Sequence, residues 1–189
     1  MYVDILILAN LAERPQHGYE IKKSVEQVVG PEVSLNNGLL YPTLRRFEQM
    51  GAIEREVERQ HGRPDRHVYH LTPLGREILH DLLCEFPPTL ARNDTEFFVR
   101  IAFFDELEPP ERLAVLAVRR DSLRQSLDHH ERIRSTIAGE RLPFPHYARQ
   151  VMGFQERQIR AELEWVASLT AENAQDQRQQ AHEKREVQP

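Results

Sequence analysis

The side chains with the clearest chemical capacity gather in the stretch Leu35–Ile53, LNNGLLYPTLRRFEQMGAI. An asparagine presents a donor beside an acceptor and can make two hydrogen bonds to an adenine edge, each good pair discriminating by about 1–3 kcal/mol. Asn36, Asn37, Leu39, Tyr41 and Thr43 fall at the amino-terminal end of a helix-like segment. That end meets base edges when such a helix lies in a major groove. Arg45 and Arg46 follow one turn later, placed for phosphate oxygens, and the Tyr41 hydroxyl suits a phosphate as well. This is the chemistry of recognition rather than of bond making. The chain carries no glycine-rich phosphate loop, nucleophile elbow or paired carboxylates in a fitting context. Ser34 has no identifiable base, and Cys84 sits at an apolar helix end, where a thiol is expected to be buried and inert. Neither enzymatic activity nor a cofactor is expected.

The elements around these residues follow from periodicity and punctuation. Leu40, Leu44 and Phe47 form one apolar stripe of a helix that starts near Ser34 or Asn37 and stops at Gly51. Pro42 lies inside it and crowds the carbonyl of residue 38, where Gly38 can flex. Upstream, Ile5, Leu8, Leu11 and Ala12 mark a helix over 4–12, which Arg14-Pro15 breaks. His17 to Ile21 opens a second helix with the stripe Ile21, Val25, Val28 and Val29, ended by Gly30-Pro31. Downstream, residues 53–59 alternate, with Ile53, Arg55, Val57 and Arg59 on one face and Glu54, Glu56 and Glu58 on the other. Residues 67–71 form the return strand, and the loop 60–66 holds Gly62 and Pro64. Thr72-Pro73 caps a fourth helix carrying Leu74, Ile78 and Leu82. Helices followed by a hairpin in this order make a winged helix-turn-helix. Arg59, Arg63 and Arg66 surround the wing tip, with Arg63 able to enter a minor groove.

Phe86-Pro87-Pro88 closes this part. The expected organisation is a winged helix-turn-helix DNA-binding domain over 1–86, a helical dimerisation domain over 89–170 and a disordered tail over 171–189. The fold class is mainly α, the second domain an antiparallel, coiled-coil-like helical one. Its first long helix carries Leu113, Leu116, Arg120, Leu123, Leu127, His130, Arg134 and Ile137 at steps of three and four. A turn at Pro143-Phe144-Pro145 leads to a last helix with Tyr147, Val151, Phe154, Gln158, Ala161, Trp165 and Leu169 on one stripe. Beyond Ala171 apolar residues almost vanish, the composition of a disordered segment.

Hydrophobic residues make up 40% and charged residues 29%, enough apolar content for a core. One cysteine excludes an intrachain disulfide framework and points to a reducing cytoplasm. The opening apolar run is short, carries Asp4 and Asn10, and is neither a signal peptide nor a membrane span. The net charge is −5, which weighs against a chain that coats DNA by bulk charge. From Tyr41 to Arg76, however, seven arginines face five acids, a local excess of two. His61, His67 and His70 add conditional charge and could tune affinity near pH 6. The nine histidines do not assemble a metal-ligand pattern, so no metal site is expected.

The runs HGYEI, LNNGLLYPTLRRFEQMGAI and HVYHLTPLGREIL resemble the PadR family of bacterial transcriptional regulators. Gly18, Tyr19, Leu40, Tyr41, Pro42, Leu44, Gly51, Tyr69, Leu71, Thr72 and Gly75 occupy the places of that family's pattern, over residues 3 to 83. The C-terminal half resembles the longer branch, whose helices form an intertwined dimer. The resemblance implies double-stranded operator DNA as partner, a homodimer, and a small aromatic or hydrophobic effector. It favours Asn37 over Asn36 as a base reader. The acidic strand at Glu54, Glu56 and Glu58 departs from what a phosphate-gripping wing would carry.

Competing roles exist for the same residues. Asparagines at a helix start more often cap it. Tyr41 could pack beside Leu40 and Leu44, and Tyr19 is expected in the core. The wing arginines could balance the three glutamates across the hairpin. Phe97, Phe104, Phe154 and Trp165, within a set that includes Phe98 and Tyr147, could line an effector cavity, yet aromatic stripes are usually core. Trp165 suits a pocket or a dimer interface. The expected function is a sequence-specific transcriptional regulator, a ligand-responsive repressor acting as a homodimer on an inverted repeat with half-sites roughly 34–36 Å apart per turn. The alternative is a winged-helix protein-interaction module without DNA binding, favoured by the acidic strand.

Overall fold

A computed structural model of the chain describes residues 1–29, 35–59, 66–139 and 144–186. In order the elements are α1 (Tyr2–Glu13), β1 (Gln16–His17), α2 (Gly18–Val29), α3 (Asn37–Met50), β2 (Ile53–Glu58), β3 (Arg66–Leu71), α4 (Pro73–Cys84), α5 (Asp94–Ala102), a single 3₁₀ turn (Phe104–Glu106), α6 (Pro109–Gly139) and α7 (His146–Glu186). The architecture is mainly helical, with one antiparallel sheet of strand order β1-β3-β2. Two compact units form: Met1–Phe86 with Asn93–Glu108, and Pro87–Arg92 with residues 109 onward.

The first unit is built around α1. Ile5, Leu6, Ile7, Leu8, Ala9 and Leu11 are all buried, so this helix is apolar on every side rather than along one stripe. Asn10 is buried among them. Its amide donates to the Leu6 carbonyl at 2.7 Å, and its own carbonyl accepts from the buried Gln16 side chain at 2.8 Å. Ile21 and Val25 of α2, Leu40, Leu44 and Phe47 of α3, and Leu79 and Leu83 of α4 complete the core.

The caps fix where each helix starts. The His17 N–H donates to the Glu20 carboxylate at 2.9 Å, half of a capping box that opens α2. Asn36, rather than Ser34 or Asn37, caps α3, accepting from the Leu39 N–H at 3.0 Å. Helix α3 runs unbroken through Pro42 and ends at Gly51, whose φ of 74° is the left-handed conformation that glycine tolerates best. Thr72 caps α4 by accepting from Gly75 N–H at 3.1 Å, while its hydroxyl donates back to the Gly51 carbonyl at 2.7 Å.

That junction is closed to any larger residue. A Cβ on Gly75 would collide with the Ala52 carbonyl oxygen and come within 2.6 Å of Leu71 Cδ1. Backbone cannot swing aside as a side-chain tip can. Gly75→Ala is therefore expected to lower stability by about 1–3 kcal/mol, the usual overpacking cost, read as a shifted urea midpoint. An unchanged midpoint would mean that α4 can slide off the turn at no cost.

The hairpin pairs Ile53 with Leu71 through to Glu58 with Arg66. Only Ile53 is buried on β2, and Val57 is 49% exposed. The alternation of residues 53–59 is not matched by burial, since every β2 residue after Ile53 is exposed on either face. Strand β1, which pairs Gln16 with Tyr69 and His17 with Val68, was not anticipated. Arg63 and His61 lie outside the described residues.

Two boundaries differ from expectation. Residues 93–108 belong with the first unit, not with the C-terminal helices. Phe97 is fully buried and stacks on Phe86 at 6.0 Å, and Arg100 and Glu96 anchor α5 through buried polar bonds. In the second unit, α7 continues to Glu186 through the segment expected to be disordered from Ala171. Its alanines, glutamines, glutamates and arginines are poor at building a core but are strong helix formers.

The second unit is an antiparallel helical hairpin. The pairs Arg112–Asn173 (3.5 Å), Arg119–Glu162 (2.7 Å), Arg160–Glu131 (3.1 Å) and Arg134–Glu156 (2.9 Å) step in opposite directions along α6 and α7. Val115, Leu116, Leu123 and Val166 supply its buried apolar side chains. Arg119, 2% exposed, also donates to the Ala91 carbonyl at 2.5 Å.

Candidate nucleic-acid interface

Helix α3 buries Leu40, Leu44 and Phe47 and leaves its other side in solvent. Asn37, Tyr41 and Arg45, four residues apart, share one outward face. Leu39 and Tyr41 are 42% and 48% exposed, Thr43 is half-buried and Arg45 is exposed. Asn36 is occupied by the cap, which leaves Asn37 as the asparagine with a side chain available for a base edge. Tyr41 packs against the start of α2. Its ring lies over Gly18, where an added Cβ would come within 3.2 Å of Cε1, and the rest of the side chain remains exposed.

Arg46 departs from the expected phosphate role. Its guanidinium forms an ion pair with Asp4 and lies 4.9 Å over the Phe47 ring, so it ties α3 to α1. Tyr19 also corrects its expectation: it is 74% exposed, because the core stripe of α2 is Ile21 and Val25 and Tyr19 precedes it on the other side.

On the hairpin, Arg59 and Arg66 are exposed at the ends of β2 and β3, and neither takes part in an ion pair among the described residues. The glutamates find other partners. Arg55 bonds Glu48 of α3 at 3.0 Å, His17 approaches Glu58 at 3.5 Å and His70 approaches Glu56 at 3.2 Å. Among the described residues no ion pair joins Arg59 or Arg66 to Glu54, Glu56 or Glu58, and the pair that Arg55 makes is with Glu48 of α3.

Between the start of α2, Tyr41 and β3 lies an open cleft of about 670 Å³. Arg14, His17, Lys23, Arg66 and His67 stand around it, with Glu20 as its acid. Tyr69 lines it too. Burial, reinforced by Glu48 and Tyr41 against the opposing charge of Arg55, pushes the Tyr69 hydroxyl above its ordinary range and keeps it neutral. Arg14 and Lys23 escaped the sequence reading because they lie outside the recognition segment. Only the pairing of β1 with β3 brings them alongside Tyr41 and Arg66.

The four aromatic candidates fall in both units. Phe97 and Phe104 are buried in the first unit. Phe154 and Trp165 are exposed on α7, at 53% and 38%. A separate cavity of about 470 Å³ near the turn of the helical hairpin is lined by Ile137, Phe144, Arg149 and Met152, none of them among the four. Cys84 is half-buried, with its sulfur 3.9 Å from His80 Nε2, a pairing the sequence reading passed over.

Three packed helices, the third with a polar face outward, followed by an antiparallel hairpin, define a winged helix-turn-helix module. A family model described as "Transcriptional regulator PadR-like family" matches residues 7–81. A PadR family transcription regulator of known structure from Clostridium difficile R20291 is 32% identical, with 42% of this chain and 80% of that one covered and a TM-score of 0.37. The chain belongs to the PadR-like family of transcriptional regulators. Membership rests on the matched residues and their identities, not on the superposition. Among curated relatives, a probable transcriptional regulator of Mycobacterium tuberculosis is 33% identical over 73 residues. An uncharacterized 37.1 kDa protein of a Streptomyces fradiae transposon is 40% identical over 75 residues. These matches cover 39% and 40% of this chain, and the chain spans only 39% and 20% of those relatives. Among the described residues no helix is long and apolar enough to cross a membrane.

Proposed function

We propose that this chain binds duplex DNA sequence-specifically, with α3 in the major groove and the hairpin against the backbone. The observation that carries this is the outward face of α3, where Asn37, Tyr41 and Arg45 stand clear of the core while Leu40, Leu44 and Phe47 hold the helix down. Asn37 is the base reader, Tyr41 and Arg45 contact phosphates, and Arg59 and Arg66 support them from the hairpin. Arg63, outside the described residues, joins the set on its sequence alone.

The binding species is a homodimer. On α7, Tyr147, Val151, Phe154, Gln158, Ala161 and Trp165 recur at alternating steps of four and three, the spacing of a coiled-coil seam. Four of them are large, apolar and exposed in the single chain, at 80%, 55%, 53% and 38%. A second copy seated on this stripe would set two α3 helices to read an inverted repeat. Occupancy of an operator makes the protein a repressor. Release by a small apolar effector requires that the compound bind the non-DNA conformation better.

The test begins with duplexes selected from a random-sequence pool. Asn37→Ala should lose about 1–3 kcal/mol of discrimination at one base pair, and Tyr41→Ala or Arg45→Ala should weaken binding to all duplexes alike. Failure of the unmodified protein to enrich any duplex at moderate salt would sink the proposal. The acidic face of β2, with Glu54, Glu56 and Glu58 exposed, favours a second reading as a protein-interaction module. Affinity that falls steeply with salt separates DNA binding from that alternative.

A further inference from the structure

Helix α3 and the hairpin do not account for the cleft beside them. Around it stand three permanent cations, Arg14, Lys23 and Arg66, against one carboxylate, Glu20, in a chain whose net charge is −5. Arg14, Lys23 and Arg66 are all exposed, and none takes part in an ion pair among the described residues. Glu20 is already engaged, accepting the His17 N–H at 2.9 Å. Glu58 approaches its edge at His17, 3.5 Å away, so the cleft keeps a modest excess of positive charge, and its polar wall adds the Tyr19 and Tyr41 hydroxyls, Ser24 and Gln27. Such a lining suits an anion that keeps part of its hydration, not an apolar guest.

The position narrows the anion further. Tyr41 belongs both to the cleft wall and to the outward face of α3, next to Asn37 and Arg45 one turn to either side. A strand whose bases meet Asn37 must carry its phosphates past that edge. We propose that the cleft between α2, Tyr41 and β3 is the seat of a DNA backbone phosphodiester, held by Arg14, Lys23 and Arg66. The inference rests on the DNA-binding reading and adds to it two cations, Arg14 and Lys23, that lie on neither α3 nor the hairpin. Its consequence is that α2 and β3 fix the register in which α3 enters the groove, because the seat holds backbone while Asn37 holds a base.

The experiment uses the full chain and a duplex selected from a random pool. Each phosphate contact contributes about 0.9 to the slope of log affinity against log salt, so losing one contact in each half of a symmetric dimer lowers that slope by roughly 1.8. Lys23→Ala and Arg14→Ala are expected to show that drop and to weaken selected and unrelated duplexes alike. A methylphosphonate scan then removes backbone charges one at a time. One position per half-site should weaken the unmodified protein more than Lys23→Ala, and leave the triple variant Arg14→Ala, Lys23→Ala, Arg66→Ala unaffected. The proposal fails if Lys23→Ala and Arg14→Ala keep full affinity and slope while Tyr41→Ala still weakens binding; DNA binding by α3 then stands without the seat. It fails equally if inorganic phosphate displaces neither the selected duplex nor a nonspecific one more readily than chloride at matched ionic strength. If the unmodified protein enriches no duplex, the parent reading falls first and takes this one with it.

Discussion

Replacing Arg100 by methionine should cost the protein about 3–5 kcal/mol at neutral pH, the usual penalty for stranding one partner of a buried ion pair. Arg100 is fully buried. One of its guanidinium nitrogens donates to the Glu96 carboxylate at 2.7 Å and to the Glu96 carbonyl at 2.8 Å, the other to the Glu85 carbonyl at 3.1 Å, and the group lies 4.8 Å over the Phe86 ring. Glu96 is 4% exposed and also accepts the Tyr2 N–H at 3.0 Å. The pair joins three separate stretches of the first unit, at residues 1–2, 85–86 and 94–102. Methionine fills much of the volume but leaves a carboxylate in an apolar setting.

The pH dependence distinguishes this cause from simple loss of packing. Burial pushes the Glu96 carboxyl up, but the hydrogen bonds from Arg100 and Tyr2 and the nearby positive charges outweigh it and hold the group below its ordinary value. A depressed carboxylate contributes stability that is present above its unfolded pKa and is lost as pH falls through the lower folded value. The unmodified protein should therefore lose stability in acid below about pH 4.5, near the ordinary glutamate value. In Arg100→Met, only the Tyr2 N–H and the amino terminus still oppose burial, the Glu96 pKa rises, and lowering the pH relieves the buried charge. The gap between the two proteins narrows on acidification. Adding Glu96→Gln to Arg100→Met should recover part of the loss at neutral pH. Urea unfolding followed by circular dichroism at neutral and acid pH measures all three. A gap under about 1 kcal/mol that does not change with pH would remove the ion pair from the account.

The sequence carried the N-terminal fold well because its signals are local. Thr72-Pro73 opening α4, Gly51 closing α3 and the stripe Leu40, Leu44, Phe47 each need only a few neighbouring residues to be read. What escaped was non-local or hidden in polar residues. Strand β1 has two residues, too few to alternate, and exists only because β3 offers it a partner. Segment 93–108 joined the first unit through Glu96 and Arg100, residues that periodicity scores as surface. Arg46 looked like Arg45 until Asp4 appeared beside it. The candidate site divided in the same way. The α3 face was legible from its helix, whereas Arg14 and Lys23 required the tertiary arrangement.

The C-terminal hairpin inverts the usual inference from hydropathy. The apolar stripe of α7 is the natural candidate for packing against α6, yet it is the side left in solvent. The contact with α6 runs instead through Glu156, Glu162 and Asn173 with their arginine partners, around Val166. Charged pairs around a few buried apolar residues thus join α6 to α7, and the apolar stripe of α7 stays exposed in the single chain.

Disrupting that face gives the second large effect. If two copies meet on this stripe as proposed, Val151→Glu with Phe154→Glu should leave the protein a monomer. Each buried apolar anchor is worth about 2 kcal/mol or more, and two-fold symmetry counts every substitution twice. Two positions in two chains then amount to roughly 8 kcal/mol, a rise in the dimer dissociation constant of more than 10⁵-fold at about 1.4 kcal/mol per decade. Helicity should be unchanged, because both residues are exposed in the single chain and bond nothing in α6. Trp165, the single tryptophan, is 38% exposed on the same face, so its emission should shift to the red when the partner leaves. DNA affinity should fall about 10²–10⁴-fold, the loss of bivalency, with single-half-site binding retained. Sedimentation equilibrium and a titration on one and two half-sites separate these terms. An unmodified protein that sediments as a monomer, or a doubly substituted one that remains a dimer with undiminished affinity, would show that the stripe is not where two copies meet.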